Sequence, residues 1–352
     1  MELHGAHTLD RRPITEPKKR RKIRSATLIG YSEAAAAVGL DPVAMLRRVG
    51  LDPRCMADTD TIISLDAFLA LLAESAAASG RHDFGMRAAI ARGTPDLGAV
   101  SLLMREAESV EAALGYYTSH IGLHSDGLVV HLDKRFRRPL LIVEMDAPTS
   151  EQSFQATQFA LTSITMLVRW LIGRDFQPEM VSYAFPKPAC MRQDMQNFFQ
   201  CPIGYAQVVS GMMLRPDLLV QPPVTSQPFL RKLAQRQLEP ILARAPQSFA
   251  TTVDRLIRRM LEVGAFDAQS VAHQLGIDRR TLNRRLAREG ETFSSVLQRI
   301  RVEVTCRALH ASDCSLTEVA DAAGFDSLSS FSRWFHQSLG CTATAWRKQP
   351  IA

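Results

Sequence analysis

Two short stretches near the C-terminus carry side chains of the kind that bind the edges of DNA bases. Their outward positions are predicted to be Arg280, Asn283, Arg284, Leu328, Ser329 and Arg333. Arginine can bind guanine bidentately, asparagine can bind adenine, and leucine can contact a thymine methyl group. These residue types favour contact with the major groove of duplex DNA. The alternative is an arginine-rich helix face that is only solvated.

The rotation of an α-helix, about 100° per residue, indicates which side chains share a face. With Leu282 taken as the direction of the core, Arg280 and Arg284 point roughly the opposite way and Asn283 lies on the flank. The same construction in the second stretch places four residues near the outer face: Leu328, Ser329, Ser332 and Arg333. Arginines are also concentrated along the first of these helices, at positions 279, 280, 284, 285 and 288.

A repeated pattern of small residues predicts the elements that position these side chains. Gly276 follows Ala272 by four positions, and Gly324 follows Ala320 by the same spacing. The alanine lets two helices cross closely and the glycine lets the chain turn between them. The pattern therefore predicts two helix-turn-helix units in tandem.

Capping and buried residues complete each predicted unit. Asp278 and Ser327 stand where a side-chain oxygen can cap the second helix of the unit. The buried stripe of that helix consists of apolar residues four positions apart: Leu282 and Leu286 in the first unit, Phe331 and Phe335 in the second.

Residues 246–349 resemble the DNA-binding domain of AraC-type bacterial transcription regulators. The resemblance is carried by the second unit and the residues after it: Gly324, Phe325, Phe331, Arg333, Phe335, Gly340, Trp346 and Arg347. Ala343 departs from the family pattern, which usually has proline there. The resemblance implies an all-α domain of seven helices, with the two helix-turn-helix units joined by a long helix at about Ser294 to His310.

The same resemblance implies the function and the partners. It implies a sequence-specific regulator rather than an enzyme, bound to double-stranded promoter or operator DNA, and an activator that touches RNA polymerase. The base contacts that it implies fall on the six outward residues already chosen from helix geometry. Two recognition helices would then enter successive major-groove segments about 34 Å apart on one DNA face, or on a bent duplex.

The N-terminal half predicts an α+β domain. Helical patterns dominate from Ser32 to His124, and a long helix is predicted around 151–172. The other predicted elements are strands at 128–132, 140–145, 181–185 and 205–209, and a helix at 194–199.

Three segments resemble the N-terminal effector domain of an AraC-type subgroup that includes the ornithine-utilisation regulators. They are residues 39–42, residues 83–87, and Leu97-Gly98 followed by residues 109–114. The resemblance implies a domain that senses a small-molecule effector of unknown identity and forms a homodimer. The alternative is a ligand-independent regulator whose N-terminal domain only oligomerises.

Composition changes along the chain predict the domain boundaries. Residues 1–25 are rich in lysine, arginine and proline, which predicts a disordered basic tail that either adds affinity for DNA or has no role. Residues 26–222 form the predicted effector and dimerisation domain. Residues 223–246 are a proline-rich linker with a helical segment, and residues 247–349 form the DNA-binding domain.

Composition also narrows the function classes. The net charge of +6 and the pI near 9.1 suit a polyanion partner. Six cysteines without a C-x-x-C pair indicate neither a zinc site nor a disulfide framework, and no cofactor is expected. The longest apolar segment, residues 154–172, contains polar side chains, so we expect no membrane partner and a cytoplasmic location.

Two groups in the N-terminal half allow alternative interpretations. Four aromatic residues could line an apolar cavity, although core packing is the simpler interpretation: Tyr116, Tyr117, Phe154 and Phe159. His120 and His124 have the spacing of helical metal ligands, but no glutamate follows the first histidine as in H-E-x-x-H. An exposed or capped helix end is the alternative for these histidines.

Overall fold

The computed structural model describes residues 21–134, 138–145, 147–188, 194–207, 209–224, 226–243, 249–261, 267–310 and 314–347. The N-terminal part contains both strands and helices, and the described C-terminal part is helical. The predicted fold class, an α+β domain followed by an all-α domain with two helix-turn-helix units, is confirmed.

The elements of the N-terminal part are, in chain order, β1 (Lys22–Arg24), α1 (Tyr31–Ala36), α2 (Pro42–Arg48), β2 (Ile62–Ser64), α3 (Leu65–Ser79), α4 (Phe84–Arg92), α5 (Ala99–Arg105), α6 (Val110–His120), β3 (Leu128–Asp133), β4 (Leu140–Met145), α7 (Ser150–Ile172), β5 (Met180–Ser182), α8 (Asp194–Phe199), β6 (Ile203–Gly204), β7 (Gly211–Met213), α9 (Pro216–Leu219) and α10 (Pro228–Ala243).

Five strands form the main sheet, in the order β3-β4-β7-β5-β6. Neighbouring strands are antiparallel except β5 and β6, which are parallel. The strand predicted at 205–209 is wrong, because the sheet pairs through shorter segments on either side of it. Ala206 has a φ of 53°, a left-handed conformation that ends the extended backbone after β6.

Helix α7 lies at the centre of the N-terminal domain and is buried on most of its surface. The Thr149 side chain caps it by accepting a hydrogen bond from the N–H of Gln152. Its Leu161, Ile164 and Leu167 side chains belong to the core around the sheet, whereas its Phe159 belongs to a second core around α1–α4. One helix therefore holds both halves of the domain together.

Close packing between α4 and α7 explains one of the segments that carry the family resemblance. The N–H of Gly85 donates a 2.8 Å hydrogen bond to Oε1 of Gln155. A Cβ atom at position 85 would lie 2.1 Å from the backbone oxygen of Gln155, so a side chain would force the two helices apart. The segment at 83–87 therefore has a packing role in this fold.

The elements of the C-terminal part are α11 (Phe249–Leu261), α12 (Ala268–Gln274), α13 (Arg279–Ala287), α14 (Phe293–His310), α15 (Leu316–Ala322), α16 (Leu328–Leu339) and α17 (Ala343–Arg347). The long connecting helix predicted at about Ser294 to His310 is α14. Its Val296 and Ile300 pack into the core of the first helix-turn-helix unit, and its Ala308 and Leu309 pack into that of the second. The helix thus fixes the two units relative to each other.

The boundary predicted for the disordered tail is wrong at its C-terminal end. Lys22–Arg24 forms β1, which pairs antiparallel with β2, and the Ile23 side chain is buried. The N–H of Arg24 also donates a 3.0 Å hydrogen bond to the carbonyl of His124. Backbone pairing therefore overrides the unfavourable charge of this segment. The rest of the predicted tail, residues 1–20, lies outside the described residues.

The predicted helical segment of the linker is α10, and it packs against the N-terminal domain. Gln227 donates its backbone N–H to Oε2 of Glu106 at 2.9 Å, and Nε of Arg231 donates to the carbonyl of Glu106 at 2.8 Å. Ala234 and Leu238 contact the core around the sheet. Residues 244–246, which complete the predicted linker, lie outside the described residues.

Candidate nucleic-acid interface and interdomain contact

The first helix-turn-helix unit consists of α12 and α13. Gly276 lies in the turn with a φ of 65°, which a side chain would strain. Asp278 caps α13 as predicted, because its Oδ1 accepts a 2.7 Å hydrogen bond from the N–H of Thr281. Leu282 and Leu286 are completely buried.

The second unit, α15 and α16, has the same construction. Ser315 and Glu318 form a capping box at the start of α15, with each side chain accepting from the other residue's backbone N–H. Gly324 has a φ of 71°, and Ser327 caps α16. The stripe of Phe331 and Phe335 is completely buried. Local spacing in the sequence thus correctly predicted both units.

The six residues predicted to face DNA are all exposed in the structure. Arg280, Asn283 and Arg284 lie along α13 opposite the buried leucines. Leu328 and Ser329 lie at the start of α16 and Arg333 one turn later. Leu328 is 40% exposed, so its apolar side chain is accessible to a partner.

Three of these side chains keep their charge available to a partner. Within the described part of the chain, Arg280, Arg284 and Arg333 form no ion pair with any carboxylate. Their neighbour Arg285 instead stacks on Phe249, with its Cζ atom 5.3 Å from the ring centroid. The outer faces of α13 and α16 therefore carry unneutralised cations suited to polyanion binding.

Arg301 on α14 positions the turn of the second unit, and helix periodicity alone did not indicate this role. Its Nε donates to the carbonyl of Ala323 at 3.1 Å, and a terminal nitrogen donates to that of Gly324 at 2.9 Å. Its Cζ atom lies 4.2 Å from the ring centroid of Phe325. The guanidinium therefore provides hydrogen-bond donors for two carbonyls at the end of α15 and packs against Phe325, the apolar residue that follows the turn.

Comparison with known protein families agrees with this geometry. The family model described as the arabinose-binding domain of AraC transcription regulators matches residues 39–223, and a helix-turn-helix domain model matches residues 271–349. The chain belongs to the AraC family of transcription regulators. It is a DNA-binding regulator whose N-terminal domain is of the arabinose-binding type.

Relatives of this AraC-family chain are also regulators. It is 26% identical over 330 residues to the HTH-type transcriptional regulator VirS of Mycobacterium tuberculosis, covering 92% of this chain and 96% of the relative. It is 27% identical over 251 residues to the ornithine utilization regulator of Pseudomonas aeruginosa, covering 69% and 70% respectively. The crystal structure of the regulator CdpR from Pseudomonas aeruginosa aligns with a TM-score of 0.43 at 18% identity, covering 91% of this chain and 98% of that one.

A buried charge cluster joins the two domains of this AraC-family chain. At its centre lies Arg258 on α11, which contacts Asp254 at 2.7 Å, Glu303 at 2.8 Å and Glu144 at 3.0 Å. Glu144 belongs to β4 of the N-terminal sheet, whereas the other residues belong to the DNA-binding domain. We call this group, together with His131 and Arg299, the interdomain charge cluster.

His131 on β3 is the second N-terminal member of the interdomain charge cluster. Its Nε2 lies 3.0 Å from Oε1 of Glu303 and 2.8 Å from a terminal nitrogen of Arg258. The possible metal-ligand atoms of His131, Glu144 and Glu303 all lie within 4.8 Å of one another. Because the Arg258 guanidinium contacts all three residues, it supplies the cation of this group, and we assign the group to an ion-pair network.

Sequence reasoning missed the interdomain charge cluster. The only local signals are two i, i+4 spacings of opposite charges, Asp254 with Arg258 and Arg299 with Glu303, and such spacings are common on solvated helices. Its other members come from β3, β4 and α14, and nothing in the sequence indicates that these elements meet.

The carboxyl of Glu144 holds a proton near neutral pH. Burial raises the pKa of Glu144 from 4.5 to about 8, and the nearby charge of Glu303 adds to this, while Arg258 opposes it. The pKa of Glu303 is instead held well below its usual value, because the charges of His131 and Arg258 outweigh burial. The cluster thus contains two arginines, Arg258 and Arg299, and three carboxyl groups, those of Glu144, Asp254 and Glu303. Glu144, whose pKa is raised, is the carboxyl group that is neutralised by a proton.

We expect Glu144 to make the stability of the protein decrease as pH rises from about 4.5 to about 8. In this window the folded protein holds a proton that the unfolded chain has released, so unfolding is favoured at higher pH by on the order of 1 kcal/mol per pH unit. Glu144→Gln should remove this slope in urea denaturation at pH 5.5, 6.5 and 7.5. Glu33→Gln, an exposed change of the same kind, should keep it. Equal slopes in the two variants would contradict the assignment.

The structure separates the four aromatic residues considered in the sequence. Tyr117 and Phe159 line a cavity in the N-terminal domain, whereas Tyr116 and Phe154 pack in the core around the sheet. His120 and His124 do not act as a pair: Nδ1 of His120 lies 2.9 Å from the carbonyl of Tyr116, and Nδ1 of His124 lies 3.0 Å from Arg24. Among the described residues, no helix is long and apolar enough to cross a membrane.

Proposed function

We propose that the protein is an effector-responsive transcription activator that inserts α13 and α16 into two successive major-groove segments of its operator. The base contacts are assigned to Arg280, Asn283 and Arg284 on α13, and to Leu328, Ser329 and Arg333 on α16. The observation that carries this proposal concerns both recognition helices. Each helix buries one apolar stripe completely and exposes arginines without ion pairs on its opposite face.

The rigid connection between the two units supports simultaneous binding. Because α14 contributes to both cores, the two recognition helices cannot move independently without disrupting one of them. Successive major-groove segments on one DNA face are about 34 Å apart, so the duplex bends where the protein spacing differs from this value.

The remaining parts of the proposal follow from the family. We propose that the protein acts in the cytoplasm as a homodimer and activates transcription by contacting RNA polymerase. A small-molecule effector in the N-terminal domain shifts the population of conformations that bind DNA. The interdomain charge cluster supports this coupling, because Glu144 and His131 link the sheet directly to α11 and α14.

DNase I footprinting of the full-length protein on its promoter tests the proposal. We expect two protected segments per protomer, with centres about one helical turn apart. Phe335→Ala, which removes one of the two buried phenylalanines of the second unit, should eliminate one of the two segments. A single protected segment in the wild type would contradict simultaneous insertion. Protection that is identical with and without every effector tested would favour a ligand-independent regulator.

A further inference from the structure

A partly enclosed cavity lies in the N-terminal domain, beside the middle of α7. Its volume is about 60 Å³, space for about four water molecules. Most of its wall is apolar and includes Phe68, Phe159 and Ala160, while Arg92 and Tyr117 contribute polar groups. Apolar walls with a few convergent polar groups are typical of small-molecule sites.

Arg92, the last residue of α4, brings a positive charge into this wall. Its Nε atom is fully buried and has no hydrogen-bond partner. The contact found for its guanidinium is with an aromatic ring, since Cζ lies 5.7 Å from the ring centroid of Phe159. Burial lowers the pKa of Arg92 to about 10, so the group stays charged at neutral pH and its desolvation is only partly compensated.

Among the described residues, Arg92 forms no ion pair or hydrogen bond with the charged groups around it, although the nearby charge of Asp96 favours its charged form. Arg24 forms an ion pair with Asp60, and burial and the two arginines lower the pKa of His124 to about 4, so its ring is neutral at pH 7. Asp96 is the acidic residue of the wall, but its Oδ1 accepts a 2.8 Å hydrogen bond from the N–H of Gly98. No hydrogen bond joins Asp96 to Arg92, although the structure describes both residues.

Two hydroxyl groups in the same wall also lack partners. The Oγ atoms of Ser125 and Ser163 are buried and form no hydrogen bond within the described chain. A buried polar group without a partner costs about 1–3 kcal/mol. Two hydroxyl donors and one guanidinium around a single cavity therefore favour a ligand that supplies oxygen acceptors and a negative charge.

We propose that this cavity binds a small monocarboxylate whose apolar body is a short aliphatic chain of two or three carbons. Arg92 binds the carboxylate, Ser125 and Ser163 donate hydrogen bonds to it, and Phe68 and Phe159 contact the apolar body. This inference rests on the proposed effector-responsive function and names the chemical class of the effector. The volume excludes large ligands in the conformation described.

Isothermal titration calorimetry on the full-length protein tests the proposal with two matched pairs of probes. Propionate is compared with propionamide, and butyrate with butyramide, so that each pair fits a cavity of this volume and differs in charge but little in shape. We expect at least one carboxylate to bind at least about thirtyfold more tightly than its amide, as for a buried charge pair. Arg92→Gln should reduce carboxylate affinity to that of the amide, and Arg47→Gln, an exposed change on α2, should leave it unaltered.

A second variant separates loss of the site from loss of the fold. Ala160→Leu should fill the cavity and weaken binding of acid and amide alike, while circular dichroism reports whether the domain is folded. Arg92→Lys keeps the charge and should retain part of the preference for the acid. A carboxylate that binds Arg92→Gln as tightly as wild type would overturn the proposal, as would tighter binding of the amides.

Footprinting on the same preparations distinguishes this inference from the proposed function. If the protein protects its operator but binds neither carboxylate, the inference is overturned and DNA recognition stands. If a carboxylate binds through Arg92 without changing operator affinity, the site is supported and the effector role is lost.

Discussion

Alanine at both Arg280 and Arg333 should weaken specific DNA binding by about 2–6 kcal/mol, or roughly 30-fold to 10⁴-fold. Each arginine is expected to contribute about 1–3 kcal/mol through hydrogen bonds to a base edge. Both side chains are exposed and form no ion pair within the described chain, so their removal should not affect folding. Alanine is in addition the most favourable residue in a helix.

The measurement is fluorescence anisotropy with the operator and with a scrambled duplex at one fixed salt concentration. Arg47→Ala combined with Arg54→Ala removes the same charge from exposed positions of the N-terminal domain and serves as the control. We expect the control to change affinity for both duplexes equally and slightly. The double recognition-helix variant should instead lose most of its preference for the operator.

The single variants test whether both helices contact DNA at the same time. Arg280 lies on α13 and Arg333 on α16, and they belong to separate helix-turn-helix units. Since they share no contacts, their free-energy costs should add within about 0.5 kcal/mol. If the double variant bound the operator as tightly as one of the single variants, one of the two helices would not contact the bases.

The DNA-binding domain could be predicted in detail because its signals are local. Ala320, Gly324 and Ser327 lie within eight consecutive positions, and they respectively allow the close helix crossing, the turn and the cap. The i, i+4 spacing of Phe331 and Phe335 then indicates the buried face. Such constraints are satisfied within one unit and do not depend on how the rest of the chain folds.

The main sheet was harder to predict because several of its strands are very short. Strands β5, β6 and β7 have two or three residues each, too few for an alternating pattern to be recognised. The ordering of Lys22–Arg24 depends on pairing with β2, about 40 residues later in the chain. Local charge therefore suggested disorder where a long-range contact creates a strand.

The interdomain charge cluster and the cavity could not be predicted for the same reason. Arg258 and Glu144 are separated by 114 positions in sequence, and Arg92 meets Phe159 only when α4 packs on α7. What distinguishes these residues is that their charged groups are buried, Arg258 with ion-pair partners and Arg92 without any. This property appears only when the chain is folded.

Arg258→Met should lower the free energy of unfolding by about 3–5 kcal/mol, the usual cost of removing one partner from a buried ion pair. Methionine has a similar length but no charge, so Asp254 and Glu303 would remain buried in the α11–α14 interface without their cation. Arg299 can compensate only in part, because its contacts with Asp254 and Glu144 are 3.6 Å and 3.7 Å long.

Urea denaturation at pH 7, followed by circular dichroism, measures this loss, and Arg299→Met is the matched control. Arg299 belongs to the same cluster but is 40% exposed, so its removal should cost less than about 1 kcal/mol. Equal losses in the two arginine variants would show that Arg258 does not hold the domains together, and effector signalling would then need another route to α11 and α14.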